Sequence, residues 1–228
     1  MTDGANDISE ATPEAKSKRD DINFKIACLF KARYPIIYLV SSEERRVEEN
    51  IGSIASKLNL KTYRWAITEG MRDLRGNPRE SIKDPLGALN FVDDVKEDCV
   101  VILRDFHPFF KDLTIVRRFR DLYSGLPSTV PGQAHFKRHI VILSPVLNVP
   151  PELTNEITVM DYPLPEADEV HEVLDRLEEM VTRRRTTHPR LTDDERLQVV
   201  EAALGLTKAE AESVLARTVV ETKRFDVE

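Results

Sequence analysis

The apolar positions of this chain change period several times between residues 21 and 162, and each change marks an element. Ile22, Ile26, Leu29 and Phe30 recur at helical spacing from Asp21, and Tyr34-Pro35 closes that helix because the residue before a proline avoids the helical region. Ile36 to Val40 is then a short apolar strand. A second helix carries Val47, Ile51, Ile54 and Leu58 on one stripe, with Glu43, Glu44, Glu48 and Glu49 largely off it; its early glutamates suit the positive end of the helix dipole. Lys61 to Ile67 reads as a strand with Tyr63, Trp65 and Ile67 on one face, after which Gly70, Gly76 and Asn77-Pro78 mark a long polar loop or a hairpin. Asp84 caps a helix that opens on Pro85 and carries Leu86, Leu89, Val92 and Val95 on its buried stripe. Cys99 to Asp105 is the third strand, and Leu113, Val116, Phe119, Leu122 and Tyr123 pattern the next helix. His139 to Ser144 and Ile157 to Met160 are the fourth and fifth strands.

The runs Val100-Val101-Ile102-Leu103 and Ile140-Val141-Ile142-Leu143 are apolar at consecutive positions, as strands covered on both faces must be. Strands separated by helices predict a parallel sheet with helices on both sides. After Pro163 and Pro165 strand patterning stops. Val170, Val173, Leu174, Leu177 and Met180 give one helix, Leu197, Val200 and Leu204 a second, and Val214 and Leu215 a third. Thr192 with Glu195, and Thr207 with Glu210, have capping-box spacing and open the last two. The expected fold is α/β: a five-stranded parallel sheet sandwiched by helices, with a small C-terminal all-helical subdomain. Residues 1–20 form a disordered tail in this reading, 21–162 the α/β domain, and 163–228 the helical lid.

Composition narrows the function classes. The 228 residues are 41% hydrophobic and 32% charged, enough apolar content to bury a core. Thirty-three Lys and Arg against forty Asp and Glu leave a net charge of -7, so no global basic field attracts nucleic acid. No apolar stretch approaches the roughly 20 residues that cross a bilayer, and no membrane association is expected; the cytoplasm is the default compartment. Cys28 and Cys99 lie far apart in apolar segments and read as reduced core residues.

The order of segments resembles an AAA+ ATPase module of the P-loop NTPase class. Ile36 to Val40 corresponds to the strand before the phosphate loop, Val100 to Asp105 to a Walker-B-like strand, and Ile140 to Ser144 to a sensor-like strand. Ile142 to Leu153 resembles the loop after that sensor strand, and Asp161-Tyr162-Pro163-Leu164-Pro165 the lead into the lid. Ala32 to Tyr38 and the turn Arg104-Asp105-Phe106-His107 bring the likeness closest to the amino-terminal, phosphate-loop-less domains of the AAA+ proteins encoded as conserved reading frames in algal chloroplasts and cyanobacteria. In those proteins a complete ATPase module follows the degenerate one. The resemblance implies AAA+ modules in cis or in trans as partners, within an oligomer. It also implies ATP and magnesium as ligands if nucleotide binding is retained; no other cofactor is expected.

The departures from the family pattern are as informative. No G-x-x-x-x-G-K-[ST] occurs, and after Val40 the chain reads Ser41-Ser42-Glu43-Glu44-Arg45-Arg46. A phosphate cradle needs glycines to close backbone amides on the oxygens and a lysine to meet the charge. If a nucleotide is held, Ser41, Ser42, Arg45 and Ser144 are the candidate contacts. Asp105 fits the position that orients magnesium through water; as a plain strand-end carboxylate it would cap the next turn or pair with an arginine. The following position, where an AAA+ enzyme holds its water-activating glutamate, is Phe106, which cannot accept a proton. Ser144 stands at the sensor position, with a strand-terminating hydroxyl as the plain alternative. Arg117, Arg118 and Arg120 are candidates to reach a neighbouring subunit, as are Arg183-Arg184-Arg185, although a helix carboxyl terminus also favours cations. The expected function is a hydrolysis-deficient AAA+-type assembly or regulatory module. The alternatives are a weak ATPase with an unconventional site and a receiver-like phosphoacceptor using Asp105, which lacks the lysine such domains carry.

Overall fold

The computed structural model describes residues 17–80, 82–127, 135–184 and 191–222. Helix α1 (Lys18–Lys31) opens on Ser17, whose Oγ accepts from the Asp20 amide at 3.0 Å. It therefore starts inside the segment expected to be tail, because Ser17 supplies a cap that the hydrophobic pattern does not register. Strand β1 (Ile36–Val40) and helix α2 (Glu44–Lys57) follow, then β2 (Lys61–Ala66), β3 (Gly70–Asp73) and β4 (Pro78–Glu80). Helix α3 (Pro85–Asp94), β5 (Cys99–Arg104), α4 (Leu113–Gly125), β6 (Arg138–Ser144) and β7 (Thr158–Asp161) complete the sheet and its cover. Three helices come last: α5 (Ala167–Arg184), α6 (Asp193–Ala203) and α7 (Lys208–Thr222).

The sheet runs β4-β3-β2-β5-β6-β1-β7. Five strands, β2, β5, β6, β1 and β7, are parallel as expected, but β3 and β4 add an antiparallel hairpin at the β2 edge, so the sheet is seven-stranded and mixed. The sequence leaves this segment open between a long polar loop and a hairpin because its strands are short, and pairing with β2 makes it the hairpin. Gly70 has φ 73° there, and a Cβ on it would lie 2.9 Å from the Ile82 carbonyl oxygen. That same carbonyl accepts from the Trp65 indole N–H at 3.0 Å. Ile67 falls in the turn after β2 and is exposed instead of continuing the Tyr63 and Trp65 face.

Alternation explains the unbroken apolar runs. Ile36, Tyr38, Val101, Leu103, Ile140 and Ile142 face one layer, packed with α3 and α4. Ile37, Leu39, Val100, Ile102, Val141 and Leu143 face the other, against Ile26, Phe30, Val47 and Ile51 of α1 and α2. Each such side chain contributes about 1.5–3 kcal/mol by leaving water. Cys99 is buried in this core, and burial pushes its thiol up to about 12; Cys28, expected in the core, is exposed, because α1 turns its Ile22, Ile26 and Phe30 inward.

Helices α5, α6 and α7 have a cluster of their own, built on Val170, Val173, Leu174, Leu177, Val200 and Leu215. Both predicted capping boxes form: the Thr192 amide donates to Glu195 at 2.7 Å and the Thr207 amide to Glu210 at 2.9 Å. Met180, Leu197, Leu204 and Val214 are exposed, since α6 presents Val199, Val200 and Ala203 inward. Leu113 and Tyr123 are likewise exposed on α4, which buries Ile115 instead.

His139, buried at the start of β6, donates from Nδ1 to the Tyr34 carbonyl at 2.8 Å and lies 4.8 Å from the Phe30 ring. Burial, reinforced by Arg33 and Lys137, holds its pKa below the ordinary value, against the opposing pull of the Tyr34 carbonyl and Asp98. The unfolded chain therefore takes up a proton on this residue below about pH 6.5 while the fold resists it, so stability is full above that pH and falls below it. The urea midpoint should drop between pH 7.5 and pH 5.5, and His139→Gln should shrink that drop; equal pH slopes for the two proteins would remove His139 from the account.

Candidate functional site

The register of the parallel ladders aligns Val40 with Ser144 and Arg104 with Leu143. Ser41, Asp105 and Ser144 therefore emerge together at the carboxyl edge, where folds of this type bind ligands. The Ser41 amide donates to the Ser144 carbonyl at 3.0 Å and the Asp105 amide to the Leu143 carbonyl at 2.9 Å. Asp105 has φ 46°, in the left-handed region that aspartate tolerates better than most residues, and its side chain is exposed. The turn sends the next side chain straight back inside. Phe106 is fully buried, with ring centroids 5.4 Å from Trp65, 5.3 Å from Phe109 and 5.5 Å from Phe119.

Ser144 is also fully buried. Its hydroxyl donates to the Val146 carbonyl at 3.1 Å, and Oγ is hydrogen-bonded to His107 Nδ1 at 2.7 Å. The Tyr38 hydroxyl donates to the same Val146 carbonyl. The serine thus ties the 107 turn to the 146 loop, Tyr38 joins β1 to that loop, and the serine's hydrogen-bonding capacity is used within the protein.

The segment where a phosphate loop would sit is a knot of ion pairs. Ser41 Oγ accepts from the Glu43 amide at 3.1 Å, Ser42 is exposed, and the exposed Arg45 pairs with Glu49 at 3.0 Å. Glu43 and Arg46 are buried. Arg46 donates to Glu43 at 2.8 Å and to Glu169 of α5 at 3.0 Å, also donates to the Pro163 carbonyl, and lies 5.0 Å over the Tyr162 ring. The second oxygen of Glu43 accepts from the Lys208 amide, the first of α7, at 2.6 Å. Arg19 approaches Glu169 at 3.4 Å, which balances two guanidinium groups against two carboxylates.

Beside this lies a second cluster, which a stripe reading of α2 had placed outside the protein. Glu48 is buried and takes Arg104 in a fork, at 2.6 and 2.5 Å; Arg64 lies 3.6 Å from Glu48, and Glu44 lies 3.4 Å from Arg104. Hydrogen bonding to Glu48 holds Arg104 even more firmly protonated. Burial raises the pKa of Glu44; Arg104 opposes that shift and Asp105 adds to it. The cleft between these clusters and the start of α7 encloses about 880 Å³. Among the described residues, no three His, Cys, Asp or Glu side chains are grouped to hold a metal ion.

The candidate arginines of α4 are occupied on their own surface. Arg117 pairs with Asp121, Arg118 with Asn90 and Asp93, and Arg120 with Glu156 at 3.5 Å. The side chains of Arg183, Arg184 and Arg185 lie outside the described residues.

The order of the five parallel strands, 2-3-4-1-5 in chain sequence, differs from the 2-1-3-4-5 order of receiver-type folds and removes that alternative. Residues 22–162 match the N-terminal domain of SpoVK-like AAA ATPases, and residues 168–228 match the second domain of the same family. The chain belongs to the SpoVK-like AAA ATPase family. This AAA chain is 34% identical over 209 residues to the AAA domain-containing protein ycf46 of Guillardia theta, covering 90% of the chain and 38% of that protein. The ycf46 protein of Trieres chinensis is 29% identical over 207 residues, with 90% and 39% covered. The AAA chain thus spans under two fifths of the length of these relatives. Among solved structures, the FIGL-1 AAA domain in complex with ADP superposes with a TM-score of 0.55 at 14% identity, covering 96% of this chain and 74% of that one. A RuvB variant from Thermotoga maritima gives 0.54 at 11% identity, covering 92% and 65%. These likenesses establish the AAA fold.

Of the residues that organise the site, the sequence pointed to Arg46 only as a charge offsetting the glutamates after Val40 and to Arg104 only as part of the turn at Asp105; Glu48 and Glu169 were given no role. The Glu43-x-x-Arg46 spacing, that of a helical i, i+3 pair, is a local signal for one of these contacts only.

Proposed function

We propose that this chain is an AAA-family module without ATP hydrolysis, serving as an assembly or regulatory module for a catalytic AAA module in the same protein or in a partner. Phe106 carries the proposal. The residue after Asp105, where the water-activating carboxylate of an AAA+ enzyme would stand, is an aromatic ring at the centre of the core. A side chain packed between Trp65 and Phe119 neither reaches water nor accepts a proton.

The residues around the cleft do not fit a magnesium triphosphate. Ser41-Ser42-Glu43-Glu44 replaces the glycine-rich cradle and contains no lysine. The carboxylates of Glu43 and Glu44 oppose phosphate at close range, where two like unit charges 4 Å apart repel by about 4 kcal/mol at a surface-like dielectric. Asp105, Ser41, Ser42, Arg45 and Ser144 are accordingly inherited positions in this proposal, not working contacts. The division proposed sets an α/β domain up to residue 162 apart from a helical subdomain after it. The greater length of the ycf46 relatives supports a partner module in cis, and the exposed ion pairs of α4 provide a surface for an AAA neighbour. No helix among the described residues is long and apolar enough to cross a membrane; the compartment proposed is the cytoplasm.

Phosphate release from ATP tests the reading. The chain alone should show no turnover above buffer, and added to a complete AAA module of its family it should change that module's turnover. Turnover by the chain alone that disappears in Asp105→Ala would overturn the loss of hydrolysis. An unchanged partner rate without co-migration would overturn the regulatory role.

A further inference from the structure

The two hydrophobic clusters that flank the sheet end at Tyr162, and the cluster of α5, α6 and α7 begins at Val170; none of the three spans the junction. What joins the sheet to the C-terminal helices is polar. Arg46 on α2 grips Glu169 on α5 and the carbonyl of Pro163 in the connecting segment. Two helix amino termini are capped across the same junction. Glu43, ahead of α2, accepts from the first amide of α7 at 2.6 Å, and Glu166, ahead of α5, accepts from the first amide of α1 at 2.8 Å. The charged side chains at the centre are almost wholly withdrawn from water, Glu43 at 8%, Arg46 at 6% and Glu169 at 3% exposure.

A polar junction of this kind behaves differently from an apolar one. Parting it exposes little hydrophobic surface, and the separated charges regain hydration, so open and docked arrangements are separated by the ion pairs themselves. Besides its own Glu210 cap, the α7 terminus takes a second negative charge from Glu43 across the junction, at a helix amino terminus that otherwise favours an external anion.

We infer that Glu43, Arg46 and Glu169 form an internal latch: the Glu43 carboxylate substitutes for an anionic ligand and keeps helices α5–α7 docked on the carboxyl edge of the sheet. The inference rests on the reading of the cleft as a site that ATP does not fill. Releasing the latch frees the C-terminal helices as a unit and uncovers the Arg46 guanidinium and the α7 terminus to anions.

Hydrogen exchange on the full chain, in buffer without nucleotide, tests the latch. In Glu43→Gln, which keeps the shape and loses the charge, the amides within 162–166 (Tyr162, Leu164 and Glu166, as Pro163 and Pro165 carry none) and of 208–211 should exchange roughly tenfold faster or more, as expected for losing a charged hydrogen bond. Amides of β5 and β6 should keep their wild-type rates. Glu169→Gln should give the same pattern from the opposite side of the junction. Unchanged exchange at 162–166 and 208–211 in both variants would overturn the latch, and so would a uniform acceleration across β5, β6 and α7, which would mark general destabilisation. Inorganic tripolyphosphate should protect the 208–211 amides of Glu43→Gln and not those of the wild type; protection in neither would overturn the stand-in role of the carboxylate. Because no measurement here contains ATP, failure of the latch is distinct from failure of the non-hydrolysing reading, which ATP turnover decides.

Discussion

Phe106→Ala should destabilise the protein by about 3–5 kcal/mol, the usual range for removing a buried aromatic ring and leaving a cavity. The ring is fully buried among Trp65, Phe109, Phe110 and Phe119, with centroid distances of 5.3 to 6.1 Å. Phe106→Glu should cost more, because a carboxylate placed there finds only apolar neighbours and no partner. That second variant separates two explanations of the missing base. If Phe106 merely replaced a catalytic glutamate in an otherwise working site, restoring the glutamate would restore turnover; in this fold it should unfold the sheet instead. Trp65 is the chain's single tryptophan and packs on Phe106, so its fluorescence in a urea titration reports both variants directly. A Phe106→Glu protein with the wild-type midpoint and measurable ATP turnover would contradict the account.

Loss of Glu48 should produce the second large effect. Its carboxylate takes Arg104 in a two-pronged bond and approaches Arg64, with side-chain exposures of 7% for Glu48 and 16% for Arg104. Removing one member of a buried pair leaves the other uncompensated, so Glu48→Ala should cost about 3 kcal/mol. Glu44 at 3.4 Å from Arg104 and Glu69 at 3.3 Å from Arg64 keep the loss from being larger. Combining Glu48→Ala with Arg104→Met should cost less than the sum of the two single changes, by roughly 1–3 kcal/mol. Denaturant midpoints of the four proteins give that coupling, and simple additivity would show that the fork contributes nothing of its own. The pair matters for the cleft because it fixes the end of β5, and with it Asp105, against the first turns of α2.

What the sequence made legible follows from what periodicity can encode. The runs ending at Leu103 and Leu143 had to be covered on both faces, and they occupy adjacent central positions in the sheet. The Thr192 and Thr207 caps were readable because their hydrogen bonds are local, three residues apart. The β3–β4 segment was readable only as a polar loop or a hairpin, since its strands are too short to alternate and are held by pairing with β2. Exposed Leu197 and Leu204 illustrate a different limit: two neighbouring apolar stripes were available on α6, and packing against α5 decided between them.

The cleft shows the same division. Asp105, Ser41 and Ser144 were expected at one sheet edge and lie there, since strand ends in a parallel sheet are fixed by topology. The residues that fill the cleft were hidden because their partners are distant in sequence: Arg46 meets Glu169 across 123 positions, and Glu48 meets Arg104 across 56. An acidic stretch such as Glu43 to Glu49 reads as a solvated helix face until a guanidinium from elsewhere is set against it. The buried state of Phe106 was equally invisible, because the reversal at Asp105 that turns it inward depends on a single backbone torsion.

Equilibrium binding of a fluorescent ATP analogue with magnesium, at concentrations up to about a millimolar, tests the central claim most directly. No saturable binding is expected, because Glu43 and Arg46 spend their charges on each other, on Glu169 and on the Lys208 amide. Micromolar binding to the unmodified chain, abolished by Asp105→Ala, would contradict it.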